Sequence, residues 1–244
     1  MWVRPDEKVP IARLLTFLEY GERMAQDCAT KQSEAVGDVR AARFLKTQAR
    51  QEGLHACLFQ GAIAWLAPRH VGDAPFLPAL DAYRRKLDEA FARRDLYETF
   101  LAEQIILEGL GEAILTRIEA GLAKRGAPFG RLRRVLLQQE EAHHAFGERM
   151  IARAASAGEA DLGDLSRKAE DYLALTESMV LSLADLFETI DEDAAAWVED
   201  VRMFLPAWLV AEGEEAEAIS KVQEVGRSGC LSPRALCHLP ADTP

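Results

Sequence analysis

Ten prolines divide this chain more firmly than any other feature of its sequence. They stand at 5, 10, 68, 75, 78, 128, 206, 233, 240 and 244, and leave three uninterrupted blocks: 11–67, 79–127 and 129–205. Proline breaks helix interiors and is depleted from central strands, so the gaps alone admit either element. Their content decides. Ala, Leu, Glu, Arg and Gln dominate and β-branched runs are few, which favours helix.

The first block divides near Ser33, Gly37 and Asp38 into helices expected at about 8–32 and 38–66. Ile11, Leu14, Leu15, Leu18, Ala25 and Ala29 recur at helical spacing in the first, and Ala42, Leu45, Ala49, Ala56, Phe59 and Ile63 in the second. Ala67–Pro78 reads as a crossover connection. Helical pattern resumes at about 79–92 and 95–123, breaks at Gly126-Ala127-Pro128, and returns at about 129–156. Further helices are expected at roughly 164–190, 191–204 and 206–222. No segment has a persuasive strand period. The expected fold is all-α: a four-helix bundle of two hairpins joined by a crossover, with additional C-terminal helices. One helical domain over 8–222 is expected, followed by a Gly-, Ser- and Pro-rich flexible tail over 226–244.

Twenty-nine Lys and Arg against forty Asp and Glu give a net charge of −11. That balance argues against nucleic acid and against an anionic membrane surface. The longest stretch without a fixed charge, Gly53 to Pro68, is too short to span a bilayer. The N-terminus carries no secretory apolar region, so a cytoplasmic location is expected. The four cysteines show no CxxC spacing, and nothing suggests an oxidising compartment.

The chemistry is carried by histidine. Three of the five histidines have Glu three residues earlier: Glu52–His55, Glu140–His143 and Glu141–His144. With 25 Glu in 244 residues, chance supplies about half a hit. The spacing puts carboxylate and imidazole on one helix face, a turn apart. Two such helices plus one Glu from each of two others make the dinuclear carboxylate arrangement of a bundle core. On the first helix Glu22 lies in phase with Leu15, Leu18, Ala25 and Ala29, whereas Glu19 lies in phase with Thr16, Arg23 and Gln26. Glu22 also sits as far before the turn near Gly37 as Glu52 sits after it. On the third ligand helix phase does not choose among Glu103, Glu108 and Glu112, since Glu103 has apolar flanks in Phe100, Leu107 and Leu110. Height chooses Glu108, with Glu103 a turn and a half too far from the Pro128 turn. On the fourth, Glu140–His143 shares a face with Leu136, Gly147 and Met150, and Glu141–His144 with Leu137, Glu148 and Ile151. The small Gly147, which would leave room beside a metal, favours the first register modestly.

The segments EYGERMAQDC, LKTQARQEGLHACLF, QIILEGLGEAIL and VLLQQEEAHHAFGERM together resemble the four ligand helices of the ferritin-like di-iron carboxylate superfamily. Within it they look most like the aldehyde-deformylating oxygenases (aldehyde decarbonylases). In that family a Gly-Glu pair, an Ile-Ile-Glu and a Glu-x-x-His before Phe-Gly-Glu carry ligands. Here these match Gly21-Glu22, Ile105 and Ile106 leading to Glu108 through Leu107, and Glu140–His143 before Phe146-Gly147-Glu148. The resemblance thus selects Glu140–His143 and supports Glu22 and Glu108. Gln138 and Gln139 depart from the Asp that often precedes this Glu in relatives, a position from which ligands are tuned.

The expected metal ligands are Glu22, Glu52, His55, Glu108, Glu140 and His143. Glu52 and Glu140 would bridge, His55 and His143 would each cap one ion, and Glu22 and Glu108 would be terminal or bridging. Such a donor set suits two Fe ions, or Mn, or a mixed pair, with O2 as co-substrate. The leading expectation is an O2-dependent di-iron oxidoreductase of the monooxygenase type, acting on a small or elongated apolar substrate; the resemblance implies a fatty aldehyde. Leu18, Phe59, Phe100, Ile105 and Phe146 are candidates for the pocket wall. An external donor such as ferredoxin is required, because no flavin or nicotinamide fingerprint is present. A monomer or homodimer is expected. The alternatives are a ferritin- or rubrerythrin-like ferroxidase or peroxidase and, kept open by Lys124, Arg125, Arg131, Arg133 and Arg134, a tRNA-modifying hydroxylase. Taken singly each glutamate is an ordinary solvated charge; four converging carboxylates without metal would repel and be desolvated together. Glu19, Glu103, Glu112, Glu141 and Glu148 are expected at the surface or behind the ligands. His144 is expected to be exposed or a neighbour of the site, Cys57 a small core filler, and His70 a loop histidine. Cys230 and Cys237-His238 make only half a zinc site.

Overall fold

A computed structural model describes residues 3–190 and 192–210. The helix expected at 206–222 beyond residue 210, the tail at 226–244, Cys230 and Cys237 lie outside the described residues. Among those described, the chain is all helix, turn and loop, with no strand. The elements are α1 (Lys8–Ala35), α2 (Val39–Leu66), α3 (Leu77–Arg93), α4 (Leu96–Phe100), a π-helical segment (Leu101–Leu107), α5 (Glu108–Lys124), α6 (Gly130–Ala157), α7 (Leu162–Leu181), α8 (Ala184–Thr189), α9 (Ala194–Met203) and α10 (Ala207–Val210).

Two hairpins, α1–α2 and α5–α6, form the bundle, and α3 crosses between them. The first turns at Asp38, whose carboxylate accepts from the N–H groups of Arg40 (2.7 Å) and Ala41 (3.2 Å) and so satisfies two of the orphan donors at the start of α2. Pro78 sits in the first turn of α3, where its missing N–H costs nothing. Leucine, phenylalanine and alanine from every long helix fill one continuous core.

Two expectations about helices need correction. The helix expected at 95–123 is interrupted by seven residues of π-helix, in which the N–H of Glu108 bonds back to the carbonyl of Glu103, five residues earlier. The helix expected at 164–190 breaks at Ser182–Leu183, where Leu183 is fully buried in the core, and α8 follows as a separate short helix.

Candidate metal centre

The structure brings together all six residues singled out from the sequence. Glu22 comes from α1, Glu52 and His55 from α2, Glu108 from the junction of the π segment with α5, and Glu140 and His143 from α6. Each is 8% exposed or less. They form two groups of four: Glu22, Glu52, His55 and Glu140, and Glu52, Glu108, Glu140 and His143. Within each group one donor atom per residue lies within 4.8 Å of all the others. Donors held about 2.0–2.2 Å from one ion lie roughly 3–4.3 Å apart, so each group has the dimensions of one coordination sphere. Glu52 and Glu140 belong to both.

The histidines make the strongest case that cations belong here. His55 Nε2–H donates to Gln139 Oε1 at 2.8 Å, and His143 Nε2–H donates to Gln51 Oε1 at 2.9 Å. Each amide belongs to the residue just before the other hairpin's Glu-x-x-His glutamate. With the proton on Nε2, each Nδ1 turns a bare lone pair inward. His55 Nδ1 then faces Glu140, Glu52 and Glu22 oxygens at 2.9, 3.1 and 3.2 Å, and His143 Nδ1 faces a Glu52 oxygen at 2.8 Å. Lone pairs this close repel unless a proton or a metal ion lies between them. His143 Nδ1, both Glu52 oxygens and Glu140 Oε1 are buried without a hydrogen-bonding partner among the described residues. Orphaned atoms of this kind call for an explanation, and ions coordinated by them supply one.

Titration tells the same story for the metal-free cluster. Burial, then the Glu140 charge, pushes the Glu22 carboxyl well up. Burial and Glu108 push Glu140 up to about 8. For His143 burial works the other way, but Glu108 and Glu52 outweigh it and hold the imidazole at about 11. His55 is raised in the same manner by Glu140, Glu22 and Glu52. Without metal the cluster therefore limits its negative charge with protons, favoured both on the two imidazoles and on the raised carboxyls of Glu22 and Glu140, a part that metal ions could take.

Glu103 corrects the sequence reading. Expected at the surface or behind the ligands, at a height a turn and a half too far, it takes the second place but at the height of Glu108: it is fully buried, and Gln48 Nε2 donates both to its Oε1 (3.1 Å) and to Glu108 Oε1 (2.7 Å). Residues five apart are about 140° apart on an α-helix, but the π segment stacks them on one face. Burial and the neighbouring Glu108 charge raise the Glu103 carboxyl. Behind it a buried amide chain continues, Gln48 to Gln104 to Gln32, where Gln32 Nε2 reaches Thr99 Oγ1 at 3.2 Å.

Other placements also differ. Gly147 makes no room for a metal: a Cβ there would lie 2.4 Å from Gln104 Cβ, so the glycine lets α6 approach the π segment. Of the two places expected for His144, exposed or a neighbour of the site, it takes the second: it is buried, with Nδ1 3.1 Å from Glu112 Oε2, and stays outside the six-residue cluster. Cys57 is exposed, because two residues past the inward His55 is about 200° round the helix. Glu19 is buried, with Gln60 Nε2 at 3.0 Å and Arg23 as its ion-pair partner. His70 and Glu141 stand as expected, the first an exposed loop residue and the second exposed on α6.

Two cavities adjoin this region. One of about 30 Å³ is lined by Glu22, Glu108, Glu140, Leu18, Leu107 and Gly111. The other, about 370 Å³ and strongly apolar, includes Leu14, Leu15, Phe59, Leu115, Leu136 and Leu137 in its wall. Phe59 lies one turn beyond His55 and Leu136 one turn before Glu140. Phe100, Ile105 and Phe146, expected in the pocket wall, line neither cavity: Phe146 stacks on Phe44 (centroids 4.2 Å apart) and meets Phe100 edge-on.

Comparison with known proteins agrees on the fold. No protein-family model and no curated protein matches the chain. Among solved structures it is similar to one described as protein 19 with aldehyde deformylating oxidase activity from Synechococcus. The TM-score is 0.67 at 18% identity, over 84% of this chain and 89% of that one. The class of protein so defined is an all-α, ferritin-like helical bundle with a buried carboxylate–histidine cluster that could hold metal.

Proposed function

We propose that this chain is an O2-dependent di-iron oxidoreductase, with Mn or a mixed pair as the alternative metal content, and that it oxygenates an elongated apolar substrate such as a fatty aldehyde. The observation that carries the reading is the pair of four-residue groups sharing Glu52 and Glu140. Glu22, Glu52, His55 and Glu140 would hold one ion, and Glu52, Glu108, Glu140 and His143 the other. Two iron ions held there would supply the redox chemistry for reducing O2, with an external donor such as ferredoxin as the source of electrons.

The chain's own residues then do the remaining work. Gln139 and Gln51 hold the histidine Nε2–H groups and so keep both Nδ1 atoms directed at the ions. Gln48 fixes Glu108 and, through the same NH2 group, keeps the Glu103 carboxyl beside it. Burial, with the neighbouring Glu108 charge, raises the Glu103 carboxyl and so favours its neutral form in the metal-free protein. The large apolar cavity beginning one turn from His55 and Glu140 accommodates a hydrocarbon chain and excludes water. Iron storage needs no such cavity. The deformylating activity printed for the similar Synechococcus structure supports the aldehyde as first substrate to try.

The test is anaerobic loading with Fe(II), followed by O2 with and without a fatty aldehyde. Aldehyde-dependent O2 consumption with loss of the aldehyde is the expected result. Rapid O2 consumption that ignores aldehyde and yields only ferric mineral would establish iron handling instead.

A further inference from the structure

The mouth of the large cavity has a surface chemistry of its own. From Leu122 to Gln139 the sequence holds five cations and no acid, in a chain whose net charge is −11. Two of them are engaged: Arg125 with Glu7 and Arg133 with Glu119. Lys124, Arg131 and Arg134 are exposed and make no ion pair among the described residues. Interleaved with them on α6 and at its start are Phe129, Leu132 and Val135, which are 74%, 47% and 49% exposed.

The neighbouring helix presents the same character without charge. On α2, Leu54, Leu58, Gly61 and Trp65 recur at spacings of four, three and four, forming one outward stripe. The two glutamine–histidine bonds, Gln139 to His55 and Gln51 to His143, tie α2 and α6 side by side. Among the described residues, six of the eleven exposed large apolar side chains lie on this α2–α6 surface. Four of the six, Leu58, Trp65, Phe129 and Leu132, also line the cavity. Phe129 has φ 66°, a conformation costly for a bulky residue, and its ring points to solvent.

We propose that this cavity mouth docks on an anionic lipid surface, with Phe129, Leu132, Val135 and Leu58 entering the interface and Lys124, Arg131 and Arg134 meeting the headgroup phosphates. Large apolar residues flanked by cations are what such an interface binds. RNA bases could stack on the aromatics but would leave the aliphatic Leu54, Leu58, Leu132 and Val135, four of the six, without a partner. Distant acids do not prevent docking, since at about 0.1 M salt charges more than about 10 Å away are screened. Net charge argued against membranes only because it averages over a surface that is not uniform. The ligand's route follows: an apolar molecule dissolved in the bilayer passes into the cavity without crossing water. That last step rests on the function proposed above, whereas docking itself does not.

The test is flotation of the full-length, metal-loaded protein with vesicles of phosphatidylcholine alone or mixed with phosphatidylglycerol. Binding to the mixed vesicles only, weakening as salt is raised, is expected. Arg131→Glu with Arg134→Glu should weaken it at least about tenfold, and Phe129→Ser with Leu132→Ser by a similar factor. Arg85→Glu with Arg149→Glu, the same change in net charge on exposed positions elsewhere, should leave it unchanged. Retained metal content in each variant shows that it is folded. Three results would overturn the proposal: no binding by the wild type, binding indifferent to both mouth variants, or a lipid-free dimer that the Phe129/Leu132 variant dissociates. Preferential binding of tRNA lost in the Arg131/Arg134 variant would overturn it too. Vesicle binding by a protein that takes up no metal would refute the proposed function and leave the docking surface standing.

Discussion

Replacing Gly147 by alanine inverts an ordinary rule. In a helix interior Gly→Ala usually stabilises by about 1 kcal/mol, because alanine loses less backbone entropy on folding. At position 147 the new Cβ would lie 2.4 Å from Gln104 Cβ and 3.3 and 3.4 Å from the main-chain carbon and Cα of Gln104. Gln104 cannot step aside cheaply. Its Nε2 donates to Gln32 Oε1 at 2.6 Å, its Oε1 accepts from Gln32 Nε2 at 2.9 Å, and its main chain belongs to the π segment. Overpacking costs about 1–3 kcal/mol, and pulling a buried amide off its partners adds about 1–3 more. After subtracting the alanine gain, Gly147→Ala should destabilise by about 1–5 kcal/mol. For a domain of this size that lowers Tm by roughly 2–20 °C. Gly61→Ala, in the penultimate turn of α2 with open space at its Cβ, should instead stabilise by about 0.5–1 kcal/mol. Urea and thermal unfolding of the metal-free proteins, followed by circular dichroism, measure both. A Gly147→Ala variant as stable as the wild type would refute the close contact between α6 and the π segment.

Three further outcomes follow from the site and its surroundings. Gln139→Leu leaves His55 Nε2–H unpaired and should weaken metal binding about 10–100-fold with the fold intact, measured by competition with a chelator; unchanged affinity would mean the amide does not orient the ring. Metal at about a hundred times its Kd should stabilise the wild type by about 2.7 kcal/mol, a rise in Tm that Glu52→Ala abolishes; an equal rise in that variant would place the metal elsewhere. Lys168→Met removes the ammonium that bonds Asp95 and approaches the buried Glu98 at 3.2 Å, and should cost roughly 2 kcal/mol at neutral pH. Burial raises Asp95, but Lys168 and the Glu98 N–H outweigh it and hold the carboxyl below its usual value. A depressed carboxylate stabilises fully above its unfolded value of about 3.9 and loses that contribution as pH falls through its folded value. The variant's deficit should therefore shrink toward acid, and a deficit independent of pH would refute the ion pair.

How much of this was legible in the sequence depends on which period the backbone keeps. Prolines and the Asp38 turn located the long helices because their effects are local. Glu22 over Glu19 is a matter of phase on a regular α-helix, whereas Glu140–His143 over Glu141–His144 rests on room beside Gly147, which Gln104 in fact fills, and on the family resemblance; the six-residue cluster contains the favoured member of each pair. The same arithmetic, applied to Cys57, points it outward. It fails for Glu103 and Glu108, where a π segment adds a residue per turn that no composition reveals. Height alone selected Glu108. The glutamine pair carried a signal: Gln51-Glu52 and Gln139-Glu140 stand at the same offset before each histidine, a repeat visible in the chain. That each amide serves the opposite hairpin, and that Gly147 yields to Gln104, are facts of packing between distant segments.

Metal content bears on the central claim most directly. Protein loaded anaerobically with Fe(II) or Mn(II), freed of excess metal and analysed by elemental emission, should hold two ions per chain, and Glu52→Ala combined with His143→Ala should hold fewer than two while remaining folded. A wild-type chain that retains no Fe or Mn, or a double variant that still retains two ions, contradicts a dinuclear centre built on Glu22, Glu52, His55, Glu108, Glu140 and His143.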